Sequence, residues 1–309
     1  STGRNRFGIE YHYNNLTNVG DQISLSGMTS TDDLHNFQMR YSVPVGSDGA
    51  SLHLTAGQMN YVLGGQYDYL NADGLTNTYE LGVSIPMRRT YAQSHFYSIN
   101  ARHRDIHDYV LSGMYGTEKA SDSLEGDLYG YYRDGRNSFS YTLGHVVGNL
   151  HLKRNNYSAP DAVGNYHKSL VDLYYIHDID RDWQLHFSMS GQYGWTPLDS
   201  SEQFYISGAD AVRAFVQGEA GGRSGMLGTL ELRRILGRSG LTATAFVDAG
   251  RIMGDGTKDL AGAGFGLIYQ KSRDWYGKFD WATPLGCHYS ESLGKDVTST
   301  AWLRLVKQF

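Results

Sequence analysis

From Trp183 to Trp195 the chain alternates with a period of two: Leu185, Phe187, Met189, Gly191, Tyr193 and Trp195 take one side, and Gln184, His186, Ser188, Ser190 and Gln192 the other. That period is the mark of an extended strand with one apolar and one polar face. It recurs from end to end. Further strands are expected near Arg6–Asn14, Asp21–Thr29, His35–Val45, Ser51–Val62, Thr76–Pro86, Ser94–Asp105, Ser121–Arg133, Ser138–Val147 and Tyr166–His177. Beyond a long loop come Met226–Leu236, Leu241–Ile252, Ala261–Gln270, Trp275–Trp281 and Ser299–Phe309, fifteen strands in all. Segments of about ten residues match a bilayer crossed at a tilt.

The connections also alternate. Short turns such as Gly46–Gly49, Asp134–Asn137, Asp180–Asp182 and Arg238–Gly240 are interleaved with longer stretches at Gly64–Gly74, Ile106–Ala120, Gly148–Asn165 and Thr196–Gly225. Outer-membrane barrels have this asymmetry, with short periplasmic turns and long external loops. The fold expected is therefore all-β, a transmembrane antiparallel β-barrel over residues 1–309 with no domain boundary inside it. Single-chain bacterial barrels close with an even number of strands, so sixteen are expected and one upstream strand is missing from the fifteen read here. Ser1 opens the chain without an initiator methionine or a signal segment, as a mature or truncated product would.

Composition agrees and excludes other classes. A formal charge of -5 with no basic cluster argues against nucleic acid, and 40% hydrophobic residues without a long apolar run rule out a transmembrane helix. Thirty-eight glycines, 24 tyrosines and only 5 prolines suit many twisted strands with aromatic girdles. Tyr193, Trp195, Trp275 and Trp281 read as interfacial belt. The single cysteine, Cys287, cannot form an intrachain disulfide.

One constellation stands apart from the alternation. Arg213 sits in the long loop 196–225, while Glu231 and Asp248 fall on the polar faces of the next two strands. If the loop folds inward, its guanidinium is within reach of both carboxylates. Such a pair supplies direction as well as charge compensation. A loop lacking helix or sheet of its own could be held by that one contact. The plain reading is an ion pair that only stabilises the loop. His103, Asp105, His107 and Asp108 also cluster, at a hairpin end, where solvated loop charges are favoured over a metal or catalytic site. No cofactor or metal is expected.

Taken together, Ser201-Glu-Gln-Phe204, Gly208, Val212-Arg-Ala-Phe215 and Phe246-Val-Asp-Ala-Gly250 resemble the barrel of two-partner secretion transporters, the TpsB family, within the superfamily of outer-membrane protein insertases. Thr2-Gly-Arg4, Asn14-Asn15, Gly20-Asp-Gln22, Tyr61-Val-Leu-Gly-Gly65, Gly74 and Ile85-Pro-Met-Arg88 are similar to further family positions. Ala214 departs from the family's usual glycine, and Ser207 from a second one. The resemblance implies that Val212, Arg213, Ala214 and Phe215 anchor an inward-folded loop, with Asp248, Glu231, Phe246 and Gly250 as strand partners. It implies upstream POTRA domains and a secreted exoprotein partner, an adhesin, haemolysin or contact-dependent toxin. It also implies an outer-membrane location in contact with lipid. Phe309, with Leu303 and Leu305 on the same face, resembles the C-terminal signal read by the barrel assembly machinery; Lys307 departs from it and is expected to snorkel.

The function these features imply is export of a large unfolded exoprotein without nucleotide hydrolysis, since no phosphate-binding loop is present. A passive porin and an outer-membrane protein assembly factor are the alternatives. An enzyme is not expected.

Overall fold

The structure, a computed structural model, describes residues 5–31, 34–62, 71–111, 113–155, 162–254, 256–270, 274–286, 289–290 and 293–308. One antiparallel sheet dominates. Its strands are β1 (Arg6–Asn14), β2 (Gln22–Ser30), β3 (His35–Val45), β4 (Ala50–Val62), β5 (Asp73–Arg89), β6 (Gln93–Val110), β7 (Tyr115–Asp134), β8 (Asn137–Asn155), β9 (Gly164–Asp178) and β10 (Trp183–Gly194). Two short strands in the long loop, β11 (Phe204–Tyr205) and β12 (Gly221–Gly222), precede β13 (Ser224–Ile235), β14 (Leu241–Met253), β15 (Lys258–Tyr269) and β16 (Trp275–Pro284). A second small pair, β17 (Tyr289–Ser290) and β18 (Lys295–Asp296), leads to β19 (Thr300–Lys307).

Every strand of the 15-stranded sheet pairs with its sequence neighbour, in the order β1 to β10, then β13 to β16, then β19. This is an up-and-down meander, the simplest route to a barrel. The fifteen strands expected from alternation are the fifteen of this sheet. Among the described residues no ladder joins β1 to β19, and a sixteenth strand is not among them.

Register shows which face is which. Tyr41, Leu54, Leu81, Ala101, Leu124 and Val147 are successive cross-strand partners on β3 to β8. Most of that row is exposed, as are Phe265, Leu267 and Phe279 across the sheet. The opposite face carries Glu80, Arg102, Glu125, Asp127, Glu231 and Asp248. Apolar side chains thus point outward in a band and polar ones inward, the reverse of a water-soluble fold. The sheet is rolled around its loop: from the same inner face, Arg104 on β6 reaches the carbonyl of Ser201, and Arg304 on β19 reaches Asp210.

Two expectations about connections are corrected. The stretches 106–120 and 148–165 are mostly strand: β6 runs to Val110, β7 begins at Tyr115, β8 runs to Asn155 and β9 begins at Gly164. The physical reason is that alternation needs an apolar surrounding on one side. Above the bilayer both faces of a strand meet water, so the period fades while the backbone ladder continues. His103, Asp105, His107 and Asp108 accordingly lie on β6, not in a hairpin loop. Gly64, Gly65 and Cys287 fall outside the described residues, as do Thr2-Gly-Arg4 and Phe309. Lys307 faces outward opposite Trp275, its ammonium 5.0 Å from the ring centroid, so a cation–π contact accompanies its position at the rim.

Candidate functional site

The long loop has structure of its own, which corrects the expectation of a featureless segment held by one contact. Asp199 accepts from the N–H of Ser201 and caps a 3-10 turn, Ser200–Glu202. Phe204 and Tyr205 then pair with Gly222 and Gly221. At the tip Ser207 bridges Val212, with Gly208 at φ +127°, a conformation that favours glycine. The Ser207 hydroxyl accepts from the N–H of Glu219, which gives this serine a function that a glycine could not supply.

Arg213 projects from that tip into a carboxylate pocket on the inner wall. Its Nε and Nη2 donate to the two oxygens of Asp248, each at 2.9 Å, and its backbone N–H donates to Asp248 Oδ2 at 3.1 Å. Nη1 donates to Glu231 Oε2 at 2.9 Å. The guanidinium carbon lies 3.2 Å from the Phe246 ring centroid, a stacked arrangement suited to a planar cation. Thr229, the cross-strand partner of Asp248, donates to its Oδ1. Trp302 and Thr300 of β19 donate to the carbonyls of Arg213 and Ala214.

One residue that the sequence reading missed completes the pocket. Asp280 Oδ1 on β16 is 3.5 Å from Arg213 Nη1, an ion pair too long to be a hydrogen bond. Three acids around one arginine would leave excess negative charge, but Arg233 binds Glu231 and Lys278 binds Asp280. Three cations then face three anions in a buried, self-neutralising network, as a low-dielectric site requires.

The wall is shaped to receive the loop. Ile206, Val212, Ala214 and Phe215 are fully buried against Phe246, Ile252, Leu260 and Ala282. On β15 the inward positions 262, 264 and 266 are all glycine. A Cβ on Gly262 would come within 2.6 Å of the Ala214 methyl, and one on Gly264 or Gly266 would strike Phe246 or Asp280. Gly250 on β14 lies beneath Ile206 in the same manner. Ala214, where glycine is usual, is thus accommodated by a glycine opposite it.

A second anchor holds the loop root to a different wall. Lys119 of β7 reaches both oxygens of Asp199, at 3.1 and 3.2 Å. Glu202 pairs with Arg104 of β6 and with Lys168 of β9 at 2.9 Å, and it accepts from the Tyr166 hydroxyl. Burial pushes the Asp199 carboxyl up, but the Lys119 charge and the Ser201 hydrogen bonds outweigh it and hold the group below its ordinary value. Glu202 belongs to the Ser201–Phe204 motif visible in the sequence. Its partners Arg104 and Lys168 were not, because cationic strand residues carry no motif, and Lys119, the partner of Asp199, falls in a stretch read as loop.

The comparisons with known proteins come to bear on this geometry. The family model for the haemolysin secretion/activation protein ShlB/FhaC/HecB matches residues 1–269. The heme/hemopexin transporter protein HuxB of Haemophilus influenzae is 23% identical over 329 residues, which cover 100% of this chain and 58% of that protein. This chain therefore spans little more than half the length of the curated relatives it matches. Among solved structures, CdiB from Escherichia coli superposes with a TM-score of 0.82 at 20% identity, covering 99% of this chain and 60% of that one. BamA from Haemophilus ducreyi lacking POTRA domains 1-3 gives 0.67 at 14% identity, covering 99% and 70%. Low identity with such overlap establishes a shared barrel fold. With the family model covering most of its length, this chain belongs to the ShlB/FhaC/HecB haemolysin secretion/activation family, the outer-membrane barrels of two-partner secretion.

Proposed function

We propose that the chain is the translocation pore of a two-partner secretion transporter, which passes a large unfolded exoprotein to the cell surface while its long loop regulates the conduit. The observation that carries this reading is the seating of Arg213 among Asp248, Glu231 and Asp280. The passive-porin alternative rests on the alternation alone and does not account for a loop seated in its own wall by a buried charge network. Val212, Ala214 and Phe215 serve as the apolar part of that plug, with Phe246 and Gly250 as its seat. On this reading POTRA domains in the whole protein capture the cargo in the periplasm, and a sixteenth strand closes the barrel. Cargo folding at the surface supplies the free energy. The cargo on this reading is a secreted exoprotein, an adhesin, haemolysin or contact-dependent toxin; HuxB is a heme/hemopexin transporter by name. Insertion by the barrel assembly machinery, reading the C-terminal signal that includes Phe309, and lipid around the outer band complete the expected partners.

Arg213→Ala in the whole transporter is the test. Loss of one partner from a buried pair costs about 3–5 kcal/mol, enough to unseat the loop tip. Secretion of the exoprotein should collapse while planar-bilayer conductance remains measurable and rises. Unchanged secretion would refute the reading. Lower levels of other outer-membrane barrels in the variant strain would favour the assembly-factor alternative, whose fold is shared by BamA.

A further inference from the structure

We propose that the lipid-facing wall of β4–β9 carries a binding site for the outer leaflet's saccharolipid, the phosphorylated, multiply acylated disaccharide known as lipid A. The wall there is hollowed into an open depression of about 980 Å³, at the upper end of the roughly 300–1,000 Å³ typical of small-molecule sites. Its floor is a single register row, Leu54, Leu81, Ala101, Leu124 and Val147, one residue from each of five adjacent strands. Every one of these side chains faces away from the barrel interior. The short side chains of Ala56 and Ala101, between the larger Tyr79 and Leu124, help make the depression.

Along the upper edge of this floor runs a connected polar shelf. His103 Nδ1 is 2.6 Å from Asp122 Oδ1, and Asp122 Oδ2 is 3.4 Å from His151 Nε2. The other His151 nitrogen is 2.9 Å from Asn149 Oδ1, and Asn149 donates to Asn165 at 2.7 Å. Asp105 continues the chain from His103 to Lys153, at 3.4 and 2.5 Å. All of these groups point outward, toward the surroundings of the barrel. They lie on the side of the long connections, which in outer-membrane barrels is extracellular. An apolar hollow below and a hydrogen-bonding shelf above are matched to an amphiphile whose head points outward. That orientation selects the outer leaflet.

Width selects the head. The shelf crosses four strands, β6 to β9, or about 14 Å at a strand spacing near 4.8 Å. A disaccharide bearing several chains spans that distance, whereas a single glycerol head with two chains does not. The shelf also mixes carboxylate and amide acceptors with histidine, lysine and amide donors. Sugar hydroxyls and acyl amides need both kinds, and phosphates need the histidine, lysine and amide donors. His103 and Asp105 on β6 thereby gain a function that neither export nor metal binding supplies.

Native mass spectrometry of the full chain in detergent, offered equimolar diphosphoryl lipid A and phosphatidylethanolamine, tests the site. Wild type should retain lipid A in preference. Ala101→Trp, which fills the hollow, should lower lipid A retention roughly tenfold, or about 1.4 kcal/mol. Ala263→Trp, outward on β15, should leave it unchanged. Ala56→Trp replaces the first variant if that one does not show heat-modifiable migration as a folded barrel. His103→Ala combined with Asn149→Ala should abolish the preference for lipid A over phosphatidylethanolamine. Equal retention of the two lipids by wild type, or undiminished lipid A in the folded hollow-filling variant, would overturn the proposal.

Discussion

The root and the tip of the inward loop are held by opposite charge schemes. At the root the loop supplies acids, Asp199 and Glu202, to a wall of cations, Arg104, Lys119 and Lys168. At the tip it supplies a cation, Arg213, to a wall of acids, Asp248, Glu231 and Asp280. The lesson is polarity: shifted or inverted, the loop would set acid against acid and cation against cation. Like charges brought together in a confined site are costly, so the arrangement rejects wrong seatings as well as favouring the right one. The two ends also differ in surroundings. The tip is enclosed by an apolar core and a glycine floor, while the root rests on long charged side chains and a smaller apolar contact of Leu198 with Val146, Leu150 and Tyr166.

That difference ranks the expected effects. Gly262→Leu should be the most disruptive, because the Ala214 methyl already occupies the space and β15, paired on both sides at this position, cannot retreat, so the loop tip must leave. Loop-specific proteolysis should appear while the barrel remains heat-modifiable; a protected loop would mean that the glycine floor is incidental. Glu202→Gln should act less strongly, by about 1–3 kcal/mol, since Arg104 and Lys168 lose their charge partner but sit closer to water. Single-channel recordings would then show brief openings absent from wild type; openings as frequent as those of Arg213→Ala would erase the distinction between the two ends.

Acidification should loosen the root still more gently. The folded Asp199 carboxyl is held below its ordinary value, so its contribution is complete above that value and is lost as pH falls through the depressed one. Loop protection from protease should therefore decline only in strong acid, and Asp199→Asn should flatten that part of the pH profile. Arg304→Ala ranks last. Its pair with Asp210 is exposed, so loop protection should match wild type. A measurable loss would show that the last strand helps hold the tip.

Legibility in the sequence followed the same divide. Strands within the bilayer announced themselves, and β1 and β3 match their expected limits, because lipid on one side and water on the other impose a period of two. The upper parts of β6, β7 and β8 did not, because nothing apolar distinguishes their faces. Arg213 and Asp248 could be singled out because their segments carry a family motif, and Glu231 and Asp248 because they fall on the polar faces of strands of clear phase next to that loop. Asp280 and Lys278 share an equally clear strand, yet a lone Asp on a polar face has no signal beyond its parity. Arg104 and Lys168, on strands that were read, were hidden for that same reason, and Lys119 for both. The Ser207 and Ala214 departures needed coordinates, since their compensation lies in Glu219 and Gly262, distant in sequence.

The unequal strand lengths have a last consequence. β7 has 20 residues where β16 has 10 and β19 has 8. At about 3.3 Å per residue the contrast between β7 and β16 is worth roughly 33 Å of strand before tilt is allowed for. The mouth is consequently bevelled like a quill. On the proposed function, a polypeptide leaving the pore would brush a tall palisade on one flank and only the segment of β17 and β18 on the other, so its departure would have a built-in direction.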